Sequence, residues 1–434
     1  MKKHQIDAQE VLLADLCYPD QIGQYGIPAA GEPYTKDKNR YLRITDISDD
    51  GLLLDVDKKG VSGEIDERYF LSEGDVVFAR TGNSTGRSYL YDKKDGRLVY
   101  AGFLIKYKLD PAKVNPRYIH YFTQSAYYKA WVKNLSVGST RGNISATTFA
   151  ECPIYLPDRT RQDRLVDVLS AIDRKIALNR KRIATLEAMA KEIYDYWFVQ
   201  FDFPDAHGRP YKSSGGEMVY NPDLKREIPK GWEVCRIGDH ITANRGISYS
   251  TKNISSGNGV PMINLNSFNV DSSYKVKGIK MFDGEIPSTR RIAPYDLVMC
   301  NTQQTDLDPC KDIIGKSFLV PDIFEGTIVS SHHVTTIHVD DDNLKVYLNA
   351  LFHTREFHAY IAGYASGTSI RGLNFLGVEN CYIAVPHMPL LSKFANLALS
   401  CEKEKSRILR NQKMLQALRD FILPLLMNGQ VKVR

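Results

Sequence analysis

Two stretches of the chain gather arginine, amide and hydroxyl side chains on a glycine-rich backbone. The first, "ARTGNSTGRSY", carries Arg80, Thr81, Asn83, Ser84, Thr85 and Arg87, and the second, "GSTRGN", carries Ser139, Thr140, Arg141 and Asn143. These residue types suit the reading of DNA: arginine pairs with guanine edges, asparagine and glutamine with adenine edges, and Ser, Thr and main-chain amides hold phosphates. The same composition also makes an ordinary polar surface turn, and the residues alone leave both readings open. Farther along, "CNTQQTD" offers Asn301, Thr302, Gln303 and Gln304, and "GTSIRGLN" offers Thr368, Ser369, Arg371 and Asn374. Arg245 and Tyr249 in "NRGISY" are additional candidates. Because Gln-Gln replaces the arginine-rich loop, the two sets should read different sequences.

Catalytic chemistry finds less support. An adenine methyltransferase needs an "NPPY"-like pocket, whereas "NPDL" at Asn221 lacks the second proline and the aromatic. Pro157-Asp158 with Asp173-Arg174-Lys175 formally fits a nuclease spacing, yet Asp173 and Lys175 flank Ile172 on a helical pattern, where charge forms a solvated face. His332, His333 and His338 have no carboxylate or cysteine at ligand spacing, and adjacent histidines in a strand should point to opposite faces. No phosphate-binding P-loop is present. The expectation is a chain without catalytic residues, metal or cofactor of its own.

Net charge of +6 over 434 residues is compatible with a polyanionic partner. Seven scattered cysteines with no CxxC pair signal neither zinc nor disulfides and point to the cytoplasm. No signal-peptide pattern opens the chain, and no apolar run approaches the roughly 18 residues of a membrane span.

The loops must be positioned by something, and the dominant pattern is a pair of long helices. Leu165, Leu169, Ile172, Ile176, Asn179, Ile183, Leu186, Ala190, Ile193 and Trp197 alternate spacings of four and three, which is a coiled-coil seam. Pro157 before and Pro204 after predict a helix over about 160–199, with Thr160 and Asp163 as a capping box. A similar seam runs through Phe394, Leu397, Cys401, Glu404, Ile408, Asn411, Leu415, Leu418, Ile422 and Leu425, where Pro424 should kink or end the helix. Asn179 and Asn411 either fix register from within the seams or sit at exposed points.

The chain also repeats itself. "CPIYLP" at Cys152 aligns with "CYIAVP" at Cys381, 229 positions on, and "LLADL" at Leu12 resembles "RIGDH" at Arg236. Short runs such as "DVVFAR", "LVYAGFLIKYKL", "DLVMCN" and "TTIHV" have strand composition, interrupted by helical patterns around 118–132 and 344–361. Residues 201–230, rich in Gly, Pro, Ser and charge, read as an extended connector.

"YDYWFVQFDFPD" and "GRPYKSSGGEMVYNPDLKREIPKGWEV" resemble the central region of the specificity subunits of Type I restriction-modification enzymes, and "EGDVVFARTGNSTG" and "GSTRGNIS" resemble recurrent loops of that family. The resemblance implies a mixed α/β chain with a pseudo-two-fold internal repeat: two tandem target-recognition domains, at 1–157 and 230–386, separated by two long antiparallel coiled-coil helices. The central spacer helix would occupy 158–200, a connector 201–229 and the C-terminal spacer helix 387–434. It further implies double-stranded DNA as ligand, two methyltransferase subunits and motor-nuclease subunits as partners, and S-adenosylmethionine, ATP and Mg held by those partners. The competing expectation is a coiled-coil scaffold or adaptor without sequence reading.

Overall fold

The computed structural model describes residues 8–55, 57–136, 143–255, 257, 259–304 and 312–431, apart from the side chains of Ser136 and Gln304. The chain is mixed α/β and divides into two compact units: Met1–Ile176 with Met414–Arg434, and Ala177–Lys413.

In the first unit an antiparallel sheet runs Gln24–Tyr25, Leu104–Lys108, Asp75–Ala79, Ser88–Leu90. A second sheet runs Glu32–Pro33, Lys59–Val61, Asn39–Leu42, Leu98–Tyr100 and closes with a parallel pair. "LVYAGFLIKYK" serves both sheets because a tight turn, with Leu104 N–H on the Ala101 carbonyl at 2.8 Å, redirects it midway. Side-chain alternation decides the layers: Val76 and Phe78 enter the core shared with helices Pro116–Phe122 and Ala126–Ser136, while Val77 and Ala79 enter a second core with Leu98 and Leu104.

The second unit has the same strand order in its four-stranded sheet: Ile241–Arg245, Val334–Val339, Leu297–Cys300, Ser317–Leu319. Beside it lies a five-stranded sheet built around Val260–Ile263. Small contacts recur too. Leu13 N–H donates to the Cys152 carbonyl and Ile237 N–H to that of Cys381, both at 3.0 Å. Tyr118 Oη donates to the Tyr155 carbonyl at 2.7 Å and Tyr347 Oη to that of Ala384 at 2.9 Å.

The central helix spans Arg159–Tyr194 and widens into a final π-type turn, Asp195–Val199. Its cap differs from the expected one. Asp158 Oδ1 accepts the Arg161 N–H at 3.0 Å, whereas Asp163 is occupied by Asn115 Nδ2 and Arg159 Nε. All ten residues of its sequence-read seam are buried or half-buried. The C-terminal helix spans Met388–Met427, so Pro424 does not terminate it; the missing N–H falls in the last turn and removes a single hydrogen bond.

Seven of the ten residues of its sequence-read seam are buried or half-buried, Phe394 at 0% and Ile408 at 2% exposure among them. Leu397 and Leu418 are 43% and 47% exposed, and Asn411 is exposed. Leu391, Ala398, Glu402, Lys405, Leu409, Gln412, Gln416, Arg419, Leu423 and Leu426 are also buried or half-buried. The charged residues Glu402, Lys405 and Arg419 among them are paired. In the second unit Lys405 Nζ lies 3.0 Å from both Glu187 and Glu402; burial works against its charge, but the two carboxylates outweigh it and raise the pKa. Asn179, 2% exposed, donates to Asn411 Oδ1 at 3.0 Å. In the first unit Arg419 reaches Asp173 at 3.4 Å and Asp50 at 3.7 Å, while Leu423, Leu426 and Met427 join the core of Leu165 and Leu169.

The connector is packed rather than merely extended. Phe203 stacks on Tyr211 at 4.6 Å, Phe201 meets Trp232 edge-on at 5.5 Å, and Met218–Asn221 pairs with Arg226–Pro229 as a hairpin. Cys17, Cys152, Cys235, Cys300, Cys381 and Cys401 are free thiols. Among the described residues no helix is long and apolar enough to cross a membrane.

His120, His353 and His358 are each pushed down to about 4, burial being the main cause. Below pH 6.5 the unfolded chain therefore binds protons that the native chain refuses, so stability is complete above pH 6.5 and is lost as pH falls toward 4. Urea midpoints measured at pH 7.5, 6 and 5 should fall in that order, and His353→Gln should flatten the decline.

Candidate nucleic-acid interface

In the first unit the two sequence-predicted loops meet at Arg80. Its main-chain N–H donates to the Phe103 carbonyl at 3.1 Å and its carbonyl accepts the Ile144 N–H at 2.9 Å. Its guanidinium Nε donates to Asn143 Oδ1 at 3.0 Å, and its Cζ lies 4.9 Å from the centre of the Tyr25 ring. Tyr25 is 43% exposed and Phe103 61%. Tyr25 and Phe103 were not among the candidates from sequence; the signal available was the shared Gly-Ile of "YGIP" and "RGIS", which aligns Tyr25 with Arg245.

The second unit builds the same junction. Asn301 N–H donates to the His333 carbonyl at 3.0 Å, and its carbonyl accepts the Leu373 N–H at 2.8 Å. From there Thr302–Gln304 runs antiparallel to Ile370–Leu373, setting Gln303 opposite Arg371. Arg371 Nη1 pairs with Asp312 at 3.1 Å, and Thr302 Oγ1 lies 2.6 Å from His333 Nδ1. Burial, followed by His332 and Lys280, lowers the His333 pKa and favours the neutral ring. Thr368 and Ser369 are exposed in the turn before Arg371, and Arg245 is exposed while its carbonyl accepts from Arg290. Tyr249 sits under Lys280, whose Nζ donates to its hydroxyl at 3.3 Å.

Other candidates have internal duties. Asn301 is 1% exposed, with its amide donating to Thr335 Oγ1 at 2.8 Å, and Gln303 and Ser84 are each 6% exposed. Arg87 turns to the Ile47 carbonyl at 3.0 Å and to Asp49 at 2.7 Å. Asn374 caps a short helix through Leu376 N–H at 3.2 Å, as Ser145 caps another through Thr148 N–H at 3.0 Å; the structural match of Asn374 is thus Ser145 and not Asn143. Thr81 is half-buried and Asn83 exposed. Ser139, Thr140, Arg141 and the Gln304 side chain lie outside the described residues.

The nuclease-like spacing dissolves in the fold. Asp158 is a helix cap, and Asp173 accepts from Tyr121 Oη at 2.7 Å and faces Arg419. His332 and His333 do not point to opposite faces; their rings lie 3.8 Å apart because both sit in the turn between two strands. Among the described residues no group of three or more His, Cys, Asp or Glu is placed to hold a metal.

A chain with this repeated α/β junction carries a recognisable domain: residues 7–188 match the family described as the Type I restriction modification DNA specificity domain. The chain is similar to the Type I restriction enzyme MjaIX specificity subunit of Methanocaldococcus jannaschii, 27% identical over 323 residues that cover 73% of this chain and 69% of the relative. It is 21% identical to the Type I restriction enzyme HindI specificity subunit of Haemophilus influenzae, over 83% of this chain and 87% of that one. The S subunit of a Type-I restriction-modification system from M. genitalium has the same fold, with a TM-score of 0.58 at 13% identity and coverage of 98% and 96%. Residues 7–188 thus match that family's model, and the chain is similar to specificity subunits of Type I restriction-modification systems.

Both junctions need a glycine. A Cβ on Gly26 would stand 2.2 Å from the Ala101 carbonyl oxygen, and one on Gly246 2.1 Å from that of Ser330. Gly26→Ala and Gly246→Ala should each destabilise the chain by about 1–3 kcal/mol, as forced overpacking does. Thermal melts of the two variants check this; unchanged melting would mean that the strands part without strain.

Proposed function

We propose that each globular half, about 1–157 and 230–386, reads one part of an asymmetric split site on double-stranded DNA, and that the chain itself catalyses nothing. The long helices at 158–200 and 387–434 pack antiparallel as a spacer that sets the gap and docks two methyltransferase subunits, to which motor-nuclease subunits add. S-adenosylmethionine, ATP and Mg belong to those partners, and the complex works in the cytoplasm. One observation carries this reading: the same main-chain junction holds different side chains at matching positions in the two units, Tyr25, Arg80 and Phe103 in one against Arg245, Asn301 and His333 in the other. The paired Asn179 and Asn411, with Lys405 between Glu187 and Glu402, support a helix pair of fixed register.

In the assembled methyltransferase, Arg80→Ala and Arg371→Ala should each weaken cognate binding by about 1–3 kcal/mol, the worth of a bidentate base contact. Competition between cognate and unrelated duplexes separates the outcomes: equal losses on both would reassign these arginines to phosphates, and no loss removes them from the interface.

Helix length should set the gap. Matched four-residue insertions after Ala184 and Arg407 lengthen the pair by about 6 Å, roughly two base pairs. Methylation mapping should find unchanged half-sites separated by one or two extra base pairs; an unchanged gap rejects the spacer role.

A further inference from the structure

We infer that Phe103 is a specificity-determining residue whose ring receives the C5-methyl group of a thymine in the DNA part read by the first unit. The inference rests on the DNA-reading role proposed above.

Phe103 occupies the tip of the turn Ala101–Leu104 and is 61% exposed. The turn puts it beside the junction, because its own carbonyl accepts the Arg80 N–H and Tyr25 pairs with Ile105, two residues on. A phenyl ring held in water forgoes the stabilisation that burying it would bring, so its retention calls for a reason.

The fold does not supply that reason. The equivalent turn of the second unit, Ser331–Val334, makes the same set of hydrogen bonds: Val334 N–H to the Ser331 carbonyl, His332 N–H to the Ile247 carbonyl and Asn301 N–H to the His333 carbonyl. It does so with His333 at the tip. The aromatic hydrocarbon is therefore a property of this position in one unit, not a demand of the turn. Around it stand Arg80 and Asn143, which are suited to donors and acceptors on base edges. On the major-groove edges of the four base pairs every other recognition group is a donor or acceptor, and the thymine methyl is the apolar one. In the second unit Thr302 engages His333 Nδ1 and leaves Nε2 for a polar contact, so the matching position there has no use for a methyl group.

The test starts from the methylated site of the assembled methyltransferase, mapped by sequencing. Each thymine in it is then replaced singly by deoxyuridine, which pairs alike but lacks the methyl, and binding is measured for wild type, Phe103→Ala and Arg80→Ala. One replacement should weaken wild-type binding about fourfold, the factor for one buried methyl group. Phe103→Ala should bind the all-thymine site correspondingly less well and be indifferent to that replacement, while Arg80→Ala binds less well yet keeps the effect. A site with no methyl-sensitive thymine, an effect that survives Phe103→Ala, or an equal loss by Phe103→Ala on cognate and unrelated DNA overturns the assignment. If the assembly shows no sequence preference at all, the DNA-reading role fails; if preference persists without a methyl effect, only Phe103 does.

Discussion

The main chain of one residue holds each candidate reading surface together. The N–H of Arg80 and of Asn301 ties the first loop to the turn between two sheet strands, and the carbonyl of the same residue ties it to the second loop, more than sixty residues away in the chain. Both bonds are main chain to main chain, so neither asks anything of a side chain except that Gly26 and Gly246 stay bare where the strands converge. A junction closed in this way tolerates Arg and Asn, Phe and His, or Tyr and Arg at matching positions. The division of labour is sharp: the backbone fixes geometry, and the side chains remain available for recognition.

Aromatic rings pack the core of each unit. Phe78 stacks on Phe149 at 5.0 Å and meets Tyr107 edge-on at 5.6 Å in the core of the first unit. In the second unit the aromatic cluster of Tyr194, Trp197, Phe198 and Phe394 gathers the end of the central helix, the connector and the start of the C-terminal helix into one core. Phe394, fully buried, lies 4.9 Å from Phe198.

Much of this was legible from the amino acids because it rests on local signals. Strand composition marked Asp75–Ala79 and Leu297–Cys300, the four-three pattern marked both helices, and glycine with polar residues marked the loops. The misses share a cause, which is that tertiary partners decide them. Asn301 looked like a reader, but Thr335, far along the chain, buries it. Tyr25 and Phe103 were not singled out, because only the fold leaves them in solvent. The apolar line of the C-terminal helix misled by following Leu397 and Leu418, since counting hydrophobic residues is blind to charges that are buried because they are paired.

That paired line changes how the helices can err. Two leucine stripes displaced by one heptad still bury leucine on leucine, and the energy barely distinguishes the right alignment from the wrong one. Here the same displacement would carry Asn179 away from Asn411 and strand Lys405 without Glu187, leaving polar groups in a dry seam at a cost of several kcal/mol. A one-heptad slip is about 10 Å of travel. The polar contacts thus act as the notches of a ratchet rather than as glue, and what they secure is the fidelity of a length.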